Sequence, residues 1–559
     1  MAAEPGRVVG IDLGTTFSTM AYVDARGQVK TITNREGEPL TPSAVLIEPD
    51  RTVRVGREAL RARSDRPDRV ATNFKRDMGE RFYREPIGGK EFSPEALSAL
   101  VLKKLVTDAG HKIGGVAGAV ITVPAYFGDP RRKATQDAGR IASLEVMDII
   151  NEPTAAALAD AFRQYLRHGG DTTQFELAAI AATAPSTTLV FDLGGGTFDV
   201  TVIRIEGEHF NVLATGGEVR LGGIDFDARL VGFFCDEFVR RHGVDLRDSP
   251  PSLATIQFAC EQAKITLSSR TQTVIMGERF GKQLHLTINR RQLEGMTSDL
   301  LTRAQISVET LMEDALLTWD KIDDILLVGG SSRMPMVSEM LNRISGKKPN
   351  MDQAPDEIVA HGAAIHAAIL HMHAQPTVSV AADGSRTLGT PEVGETPEPD
   401  LPPLPDLFDP KVVEATRRVR LTNVNSHGLG VIVRNPQENR VVNSVIIPRN
   451  TPLPTERMKV FGTEAAHQRL VRLRVVEGDT RDPRGCTQLG ECVIRDLPKG
   501  LPKGAPVEVS FRYDPSGRIH VRAVELRHGI AAEVELVRET GFEQEDLDRL
   551  RNVVSEIDL

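Results

Sequence analysis

Cysteine is scarce: the 559-residue chain holds four, Cys235, Cys260, Cys486 and Cys492. That is too few for a disulfide framework. Cys486 and Cys492 are near enough in sequence to pair, but no second pair of ligands completes a zinc site, so free thiols are expected. Positive charge is short as well. With 68 Lys and Arg against 77 Asp and Glu, the formal net charge is −9. A general nucleic-acid binder is thereby disfavoured, because phosphate neutralisation wants a basic surface. No window approaches the ~18 apolar residues of a membrane span. Residues Met1 to Arg7 run straight into a strand-like stretch, without the apolar centre of a secretory leader. These absences point to a cytoplasmic location. What is present, 40% hydrophobic and 26% charged residues, is the composition of a folded globular chain. Its length exceeds the ~250–300 residues at which single cores stop growing.

Proline marks the main division. Of the chain's 33 prolines, eight fall between Ala374 and Pro410. That tract shows neither helical nor strand periodicity, and it reads as an extended, semi-rigid linker over 374–411. Before it, in residues 1–373, short β-rich runs such as Ala119–Val123, Leu189–Phe191 and Ile325–Val328 alternate with longer helix-like segments, an α/β pattern. After it, in residues 412–538, the alternation of Val507, Val509, Phe511 and Tyr513, the turn Asp514-Pro-Ser-Gly517 and the resumption at Ile519 and Val521 predict a mostly antiparallel β domain. Residues 539–559 read as one amphipathic helix with Leu547, Leu550, Val554 and Ile557 on one stripe. That stripe is free either to pack back on the β domain or to receive a partner.

The chemistry sits in an internal repeat. Val9-Gly-Ile-Asp-Leu-Gly-Thr-Thr16 and Val190-Phe-Asp-Leu-Gly-Gly-Gly-Thr197 are both apolar strands ending in Asp-Leu-Gly, a small residue and Thr. Asp12 and Asp192 lie about 180 residues apart, the size of one α/β unit. The repeat predicts two similar lobes, each presenting a phosphate-binding hairpin. Glycine there permits a tight turn and close approach of backbone N–H groups to phosphate. Carboxylates at strand ends cannot meet phosphate directly, so Asp12 and Asp192 imply an intervening Mg²⁺ or its waters. A P-loop is absent. A third glycine turn, Leu326 to Arg333, follows another strand, and Arg333 there is able to stack on a base. His361, His366, His371 and His373 cluster near one helix end, but they do not share a face at metal-binding spacing.

At these residues the chain resembles the heat-shock 70 (DnaK-like) chaperone family. The blocks that carry the resemblance are Asp12–Thr16, Ile121–Phe127, Asn151–Ala157, Asp192–Asp199, Leu221–Asp225, Glu261–Lys264 with Ser268, and Val328–Pro335. The resemblance implies a duplicated actin-like (ribonuclease H-like) nucleotide-binding domain around ATP and Mg²⁺, then a β-sandwich substrate-binding domain. By position it assigns Asp12, Asp192 and Asp199 to the metal and its waters. Gly14, Thr15, Thr16, Gly194, Gly195, Gly196 and Thr197 fall in the phosphate hairpins. Lys75 and Glu152 join Asp192, Thr197 and Asp199 as catalytic residues. Glu261, Lys264, Ser268, Gly329, Gly330, Arg333 and Asp356 match the adenosine side. Pro124 and Arg132 match an allosteric relay, and Val471 a central pocket of the substrate groove.

Several departures stand beside the resemblance. Phe17 takes the place of a small polar residue, the stretch between Lys75 and Val120 is short, and His168–Thr188 is an insertion. The loop Arg434–Arg440 and Glu464 bring charge where an apolar arch is the family pattern. Leu401, Leu404, Leu407, Phe408 and Asp409 are the nearest substitute for the family's coupling linker. The chain stops about one helix after the β domain, which implies a lid remnant and fast peptide exchange. The expected function is an ATP-hydrolysing chaperone that binds unfolded or extended polypeptide segments, with a J-domain co-chaperone and an exchange factor as partners. The alternatives are a non-catalytic ATP-gated scaffold and a small-molecule kinase of the actin-like superfamily.

Overall fold

The computed structural model describes residues 6–24, 27–167, 185–351, 354–374, 377–380, 386–389, 419–435, 437–513, 519–536, 542 and 544–557. The insertion, the Asp514–Gly517 turn and the linker leucines with Phe408 and Asp409 lie mainly or wholly outside these residues.

Two lobes repeat one sheet plan. In the first, strands run in the order Val29–Ile32, Phe17–Val23, Arg7–Asp12, Val116–Val123 and Val146–Asn151. In the second the order is His209–Glu218, Phe198–Glu206, Ser186–Leu193 and Asp324–Val328. In each lobe the strand carrying the Asp-Leu-Gly motif pairs antiparallel with the strand that follows and parallel with a later one. Such motif strands are buried on both faces, which is why they read as near-continuous apolar runs. Val9, Ile11, Leu189, Val190 and Phe191 are all fully buried. Each strand ends where glycine ends the apolar run, so both hairpins emerge at the same edge of their sheets.

The lobes meet through two helices, Glu152–Arg167 and Ile358–Ala374, which share one core with both sheets. Their approach demands small residues. A Cβ at Gly362 would lie 1.7 Å from the Ala155 carbonyl oxygen, and one at Gly10 would lie 2.0 Å from the Ala364 nitrogen. The histidines of the second helix are absorbed locally. His361 bonds Thr31 at 2.7 Å and His366 bonds Asp148 at 2.8 Å.

Beyond the lobes stands a sandwich of two four-stranded antiparallel sheets. One is ordered Arg440–Ile447, Leu429–Asn435, Val471–Glu477 and Thr487–Ile494; the other is Thr455–Gly462, Pro506–Tyr513, Ile519–Glu525 and Ile530–Glu535. Inward residues such as Val475, Val509, Phe511 and Val521 are fully buried between the sheets, as the period-two alternation requires. All four cysteines are free.

Three features differ from the sequence expectation. Within the proline-rich tract, Thr377–Val380 pairs antiparallel with Arg386–Gly389, although no strand period is visible there. The short strand Arg420–Thr422, expected inside the β domain, extends the second lobe's sheet by parallel pairing with His209–Asn211. This strand ties the segment leading into the β domain to the second lobe. The terminal helix Gln544–Ser555 does not return to the β domain either. Leu547, Leu550, Val554 and Ile557 enter the first lobe's core beside Pro94–Ile113 and Asp129–Ile141. Lys103 Nζ then donates to the helix's last carbonyls, Val554 at 2.7 Å, Ser555 at 2.9 Å and Ile557 at 2.5 Å. A cation at a helix C-terminus satisfies orphan carbonyls and the helix dipole together.

Candidate nucleotide site and peptide groove

The two glycine hairpins face each other across a cleft of roughly 340 Å³ between the lobes. They are nearly in contact: a Cβ at Gly195 would lie 2.5 Å from Thr16 Oγ1, and one at Gly196 2.5 Å from Thr15 Cγ2. Backbone amides and threonine hydroxyls therefore line both sides of the gap, the arrangement that cradles phosphate. Gly329, with φ 79, sits where a Cβ would lie 2.5 Å from Asp192 Oδ1, so the third turn excludes any side chain.

Charge in the cleft is concentrated and mostly buried. Lys75 Nζ donates to Glu152 Oε1 at 2.6 Å, with the side chains 4% and 9% exposed. Asp192 and Asp199, both buried, and Asp12, partly buried, surround the pair. Burial first, and the nearby Glu152 second, push Asp12 up to about 7 and Asp199 up to about 8. The same two causes raise Asp192 well above the usual carboxylate range. Burial disfavours the Lys75 ammonium, yet Glu152, Asp12 and Asp199 outweigh it and hold its pKa above the ordinary lysine value. One lysine among four carboxylates leaves an excess of negative charge, which fits the addition of a hard cation. Among the described residues no three carboxylates converge as a direct ligand set, so a cation here fits through intervening water.

The other assigned residues divide by position. Asp12, Gly14, Thr15, Thr16, Gly194, Gly195 and Thr197 line the cleft, as do Glu261, Lys264, Ser268, Gly329, Gly330, Arg333 and Asp356. Gly196 and Asp199 stand behind it. Arg333 bonds Asp356 at 2.8 Å, pinning the side chain at the cleft's edge. Phe17, 39% exposed, forms part of the rim. Lys264 bonds Asp227 at 2.8 Å and the Gly223 carbonyl at 3.1 Å. Burial pushes Asp227 up to about 6 despite Lys264.

Sequence reasoning passed over Arg76 and Asp227. Arg76 Nε donates to the Gly196 carbonyl at 2.9 Å, and its guanidinium clasps Asp225 at 2.5 and 3.1 Å. A first-lobe arginine thereby closes on the second lobe's hairpin. Its place beside Lys75 was the available signal, but its partner lies 149 residues on.

Pro124 and Arg132, the residues expected to form a relay, lie where the β domain meets the lobes. Pro124 accepts from Phe127 N at 3.1 Å, shaping the turn 124–127. Inside that turn Tyr126 N donates to Asp199 Oδ1 at 2.8 Å. From the β domain, Ser426 Oγ donates to the Ala125 carbonyl, and the His427 ring stands edge-on to Tyr126 at 4.3 Å. Arg132 holds Asn151 at 2.5 Å and the Ile149 carbonyl at 2.9 Å. Buried Glu477 accepts from Asp129 N at 3.3 Å. On the second lobe, Asn450 Oδ1 accepts from Thr215 N at 3.1 Å and Arg449 pairs with Asp314.

Val471, 8% exposed, helps form a separate groove of roughly 830 Å³ in the β domain. The groove is bridged by an ion pair, Arg434 Nε to Glu464 Oε1 at 2.9 Å. The charged residues that the sequence put at the two rims thus meet each other.

Comparison with known proteins gives one answer. The Hsp70 protein family model matches residues 8–88, 83–381 and 411–558. The chaperone protein DnaK of Thermotoga neapolitana is 37% identical over 559 residues, covering 98% of this chain and 83% of its own. That of Thermotoga maritima is 38% identical over 538 residues, covering 95% and 80%. No helix among the described residues is long and apolar enough to cross a membrane.

Proposed function

The chain belongs to the Hsp70 family and is an ATP-hydrolysing molecular chaperone, and from that premise we propose how its own residues divide the work. The nucleotide is ATP with Mg²⁺, held between the hairpins of Gly14–Thr16 and Gly194–Thr197. Asp12, Asp192 and Asp199 would hold the magnesium ion mostly through its waters, and the ion when bound would supply positive charge against the phosphate oxygens. Lys75, Glu152, Asp192, Thr197 and Asp199 are the catalytic residues. Lys75 opposes the charge that develops as the terminal phosphoryl group leaves. Glu152 orients Lys75 and, as an acceptor, aligns the attacking water. Thr197 donates its hydroxyl at the phosphates. Glu261, Lys264, Ser268, Gly330, Arg333 and Asp356 enclose the adenosine. The observation that carries this reading is the buried 2.6 Å Lys75–Glu152 pair at the mouth of both hairpins.

The β domain that follows the strand Arg420–Thr422 is the substrate-binding domain and takes unfolded or extended polypeptide, with Val471 in the groove. Pro124 and Arg132 relay nucleotide state to it. The supporting geometry is short: the turn begun by Pro124 bonds Asp199 from one side and is touched by Ser426 and His427 from the other. A J-domain co-chaperone and a nucleotide-exchange factor act on this cycle, in the cytoplasm.

The test is single-turnover ATP hydrolysis by the wild type, Lys75→Ala and Asp199→Ala. Both variants should lose about 10²–10³ of the rate, the loss typical of removing one preorganised charge-stabilising group. Three equal rates would sink the catalytic assignment.

A further inference from the structure

The β-domain groove carries a charge opposite to that of the chain around it. Five cationic side chains line it, Arg434, Lys459, Arg472, Arg481 and Lys503, against one carboxylate, Glu464, in a protein whose net charge is −9. We propose that this groove selects extended polypeptide segments in which acidic residues flank an apolar side chain. The inference rests on the reading that the groove takes polypeptide, and it names the substrate class.

The groove's floor sets the apolar half of the preference. Val471, Leu473 and Val507 are 8%, 5% and 2% exposed and present aliphatic surface. One wall is the strand Thr455–Gly462, which among the described residues has a single neighbour in its sheet and so leaves one backbone edge for an added strand. The wall's aromatic, Phe461, is only half-exposed. Nucleic acid finds no row of stacking rings here, whereas an extended peptide finds an edge and an apolar floor.

The rim sets the acidic half. Lys459 donates to the Ser444 hydroxyl at 2.9 Å, and neither it nor Lys503 forms an ion pair among the described residues. Arg481 reaches Glu438 at 2.9 Å, but that one carboxylate also serves Arg440. Arg472 lies 3.6 Å from Glu491. The internal carboxylates therefore leave positive charge over. The bridge across the groove is the least secure pair, since Arg434 and Glu464 are 51% and 67% exposed. Exposed pairs of this kind exchange partners at little cost. A peptide carboxylate that takes Glu464's place on Arg434 opens the arch and keeps the guanidinium paired.

The experiment uses the full chain and three labelled peptides that share one leucine-rich core, flanked by Glu, Gln or Lys, with fluorescence anisotropy in ADP. The Glu-flanked peptide should bind about tenfold tighter than the Gln-flanked one at low salt, and the Lys-flanked one weakest. Raising the salt to about 0.5 M should compress the series, because screening at that strength acts within a few ångströms. The double variant Lys459→Glu/Lys503→Glu should invert the order, with its melting temperature as the check on folding. Arg434→Gln, a milder change, should cut only the acidic advantage. Equal binding of the three peptides, or tighter binding of the Lys-flanked one, overturns the inference and leaves peptide binding standing. If none of the three binds, the reading of the groove falls with it. If single-stranded RNA displaces the Glu-flanked peptide and binds tighter, the groove's cations serve nucleic acid, and the inference is overturned.

Discussion

The nucleotide cleft and the β-domain groove manage charge in opposite ways. In the cleft, Lys75, Glu152, Asp192 and Asp199 are buried and Asp12 is partly buried, so each charge needs a partner at a defined place. In the groove, Arg434, Lys459, Arg472, Arg481 and Lys503 reach solvent, and water supplies what a partner does not. Buried charge couples residues: changing one leaves another stranded. Exposed charge does not, so the groove's rim is free to carry arginine and glutamate over an otherwise apolar floor.

That contrast breaks most sharply at Lys75. Removing it should strand Glu152, lowering turnover as stated above and also stability, by about 3–5 kcal/mol as for a buried pair that loses one member. The double variant Lys75→Met/Glu152→Gln should recover most of the stability in thermal melts but none of the turnover. A stability loss in Lys75→Met no larger than that of the double variant would show that burial does not couple them.

The docked terminal helix comes next. Leu547, 6% exposed, is in the first lobe's core. Leu547→Ala should cost about 2–3 kcal/mol, the low end for a buried leucine at a surface helix, read from urea unfolding. It should leave peptide affinity unchanged, since the helix packs away from the groove.

A smaller effect is expected from pH at the domain contact. Burial works against the His427 imidazolium. However, Asp479 at 3.7 Å, Glu477 and the Tyr126 carbonyl at 3.3 Å outweigh burial and raise its pKa. Burial raises Glu477, while His427 lowers it, and the nearby His427 together with a hydrogen bond from Gly428 N holds Asp479 down despite burial. A raised histidine stabilises docking fully below its unperturbed value near ~6.5, and that stabilisation is lost as pH rises through the docked value. Docking, followed by energy transfer between dyes on the first lobe and the β domain, should therefore weaken from about pH 6 to pH 8. His427→Leu should flatten that slope; an unchanged slope would move the titration elsewhere. The smallest effect belongs to the exposed arch. The swapped pair Arg434→Glu/Glu464→Arg should shift stability by under about 0.5 kcal/mol in the same urea assay.

Much of the cleft was legible because its parts are local. Each hairpin is a contiguous strand-turn pair, so Asp12 to Thr16 and Asp192 to Asp199 announce themselves wherever the chain is read. The helix stripe of Leu547, Leu550, Val554 and Ile557 was legible too, but its destination was not. An apolar stripe states that something covers it and is silent about what. Arg76 escaped notice for a similar reason, since its clasp on Asp225 and Gly196 exists only when the lobes close. The strand Arg420–Thr422 was misallotted because three residues carry too little pattern to choose a sheet. The hairpin Thr377–Val380 with Arg386–Gly389 went unseen among prolines for the same want of pattern.

By itself the sequence determined the duplicated lobes, the glycine turns and the residue types at each strand end, because strand period and turn chemistry act over a few neighbours. Tertiary structure alone decided which lobe receives the terminal helix, that Arg434 and Glu464 meet over the groove, and that Ser426 and His427 touch the turn bonded to Asp199. Those pairings join residues far apart in the chain, and their energies exist only once folding has brought both partners out of water or across a shared gap.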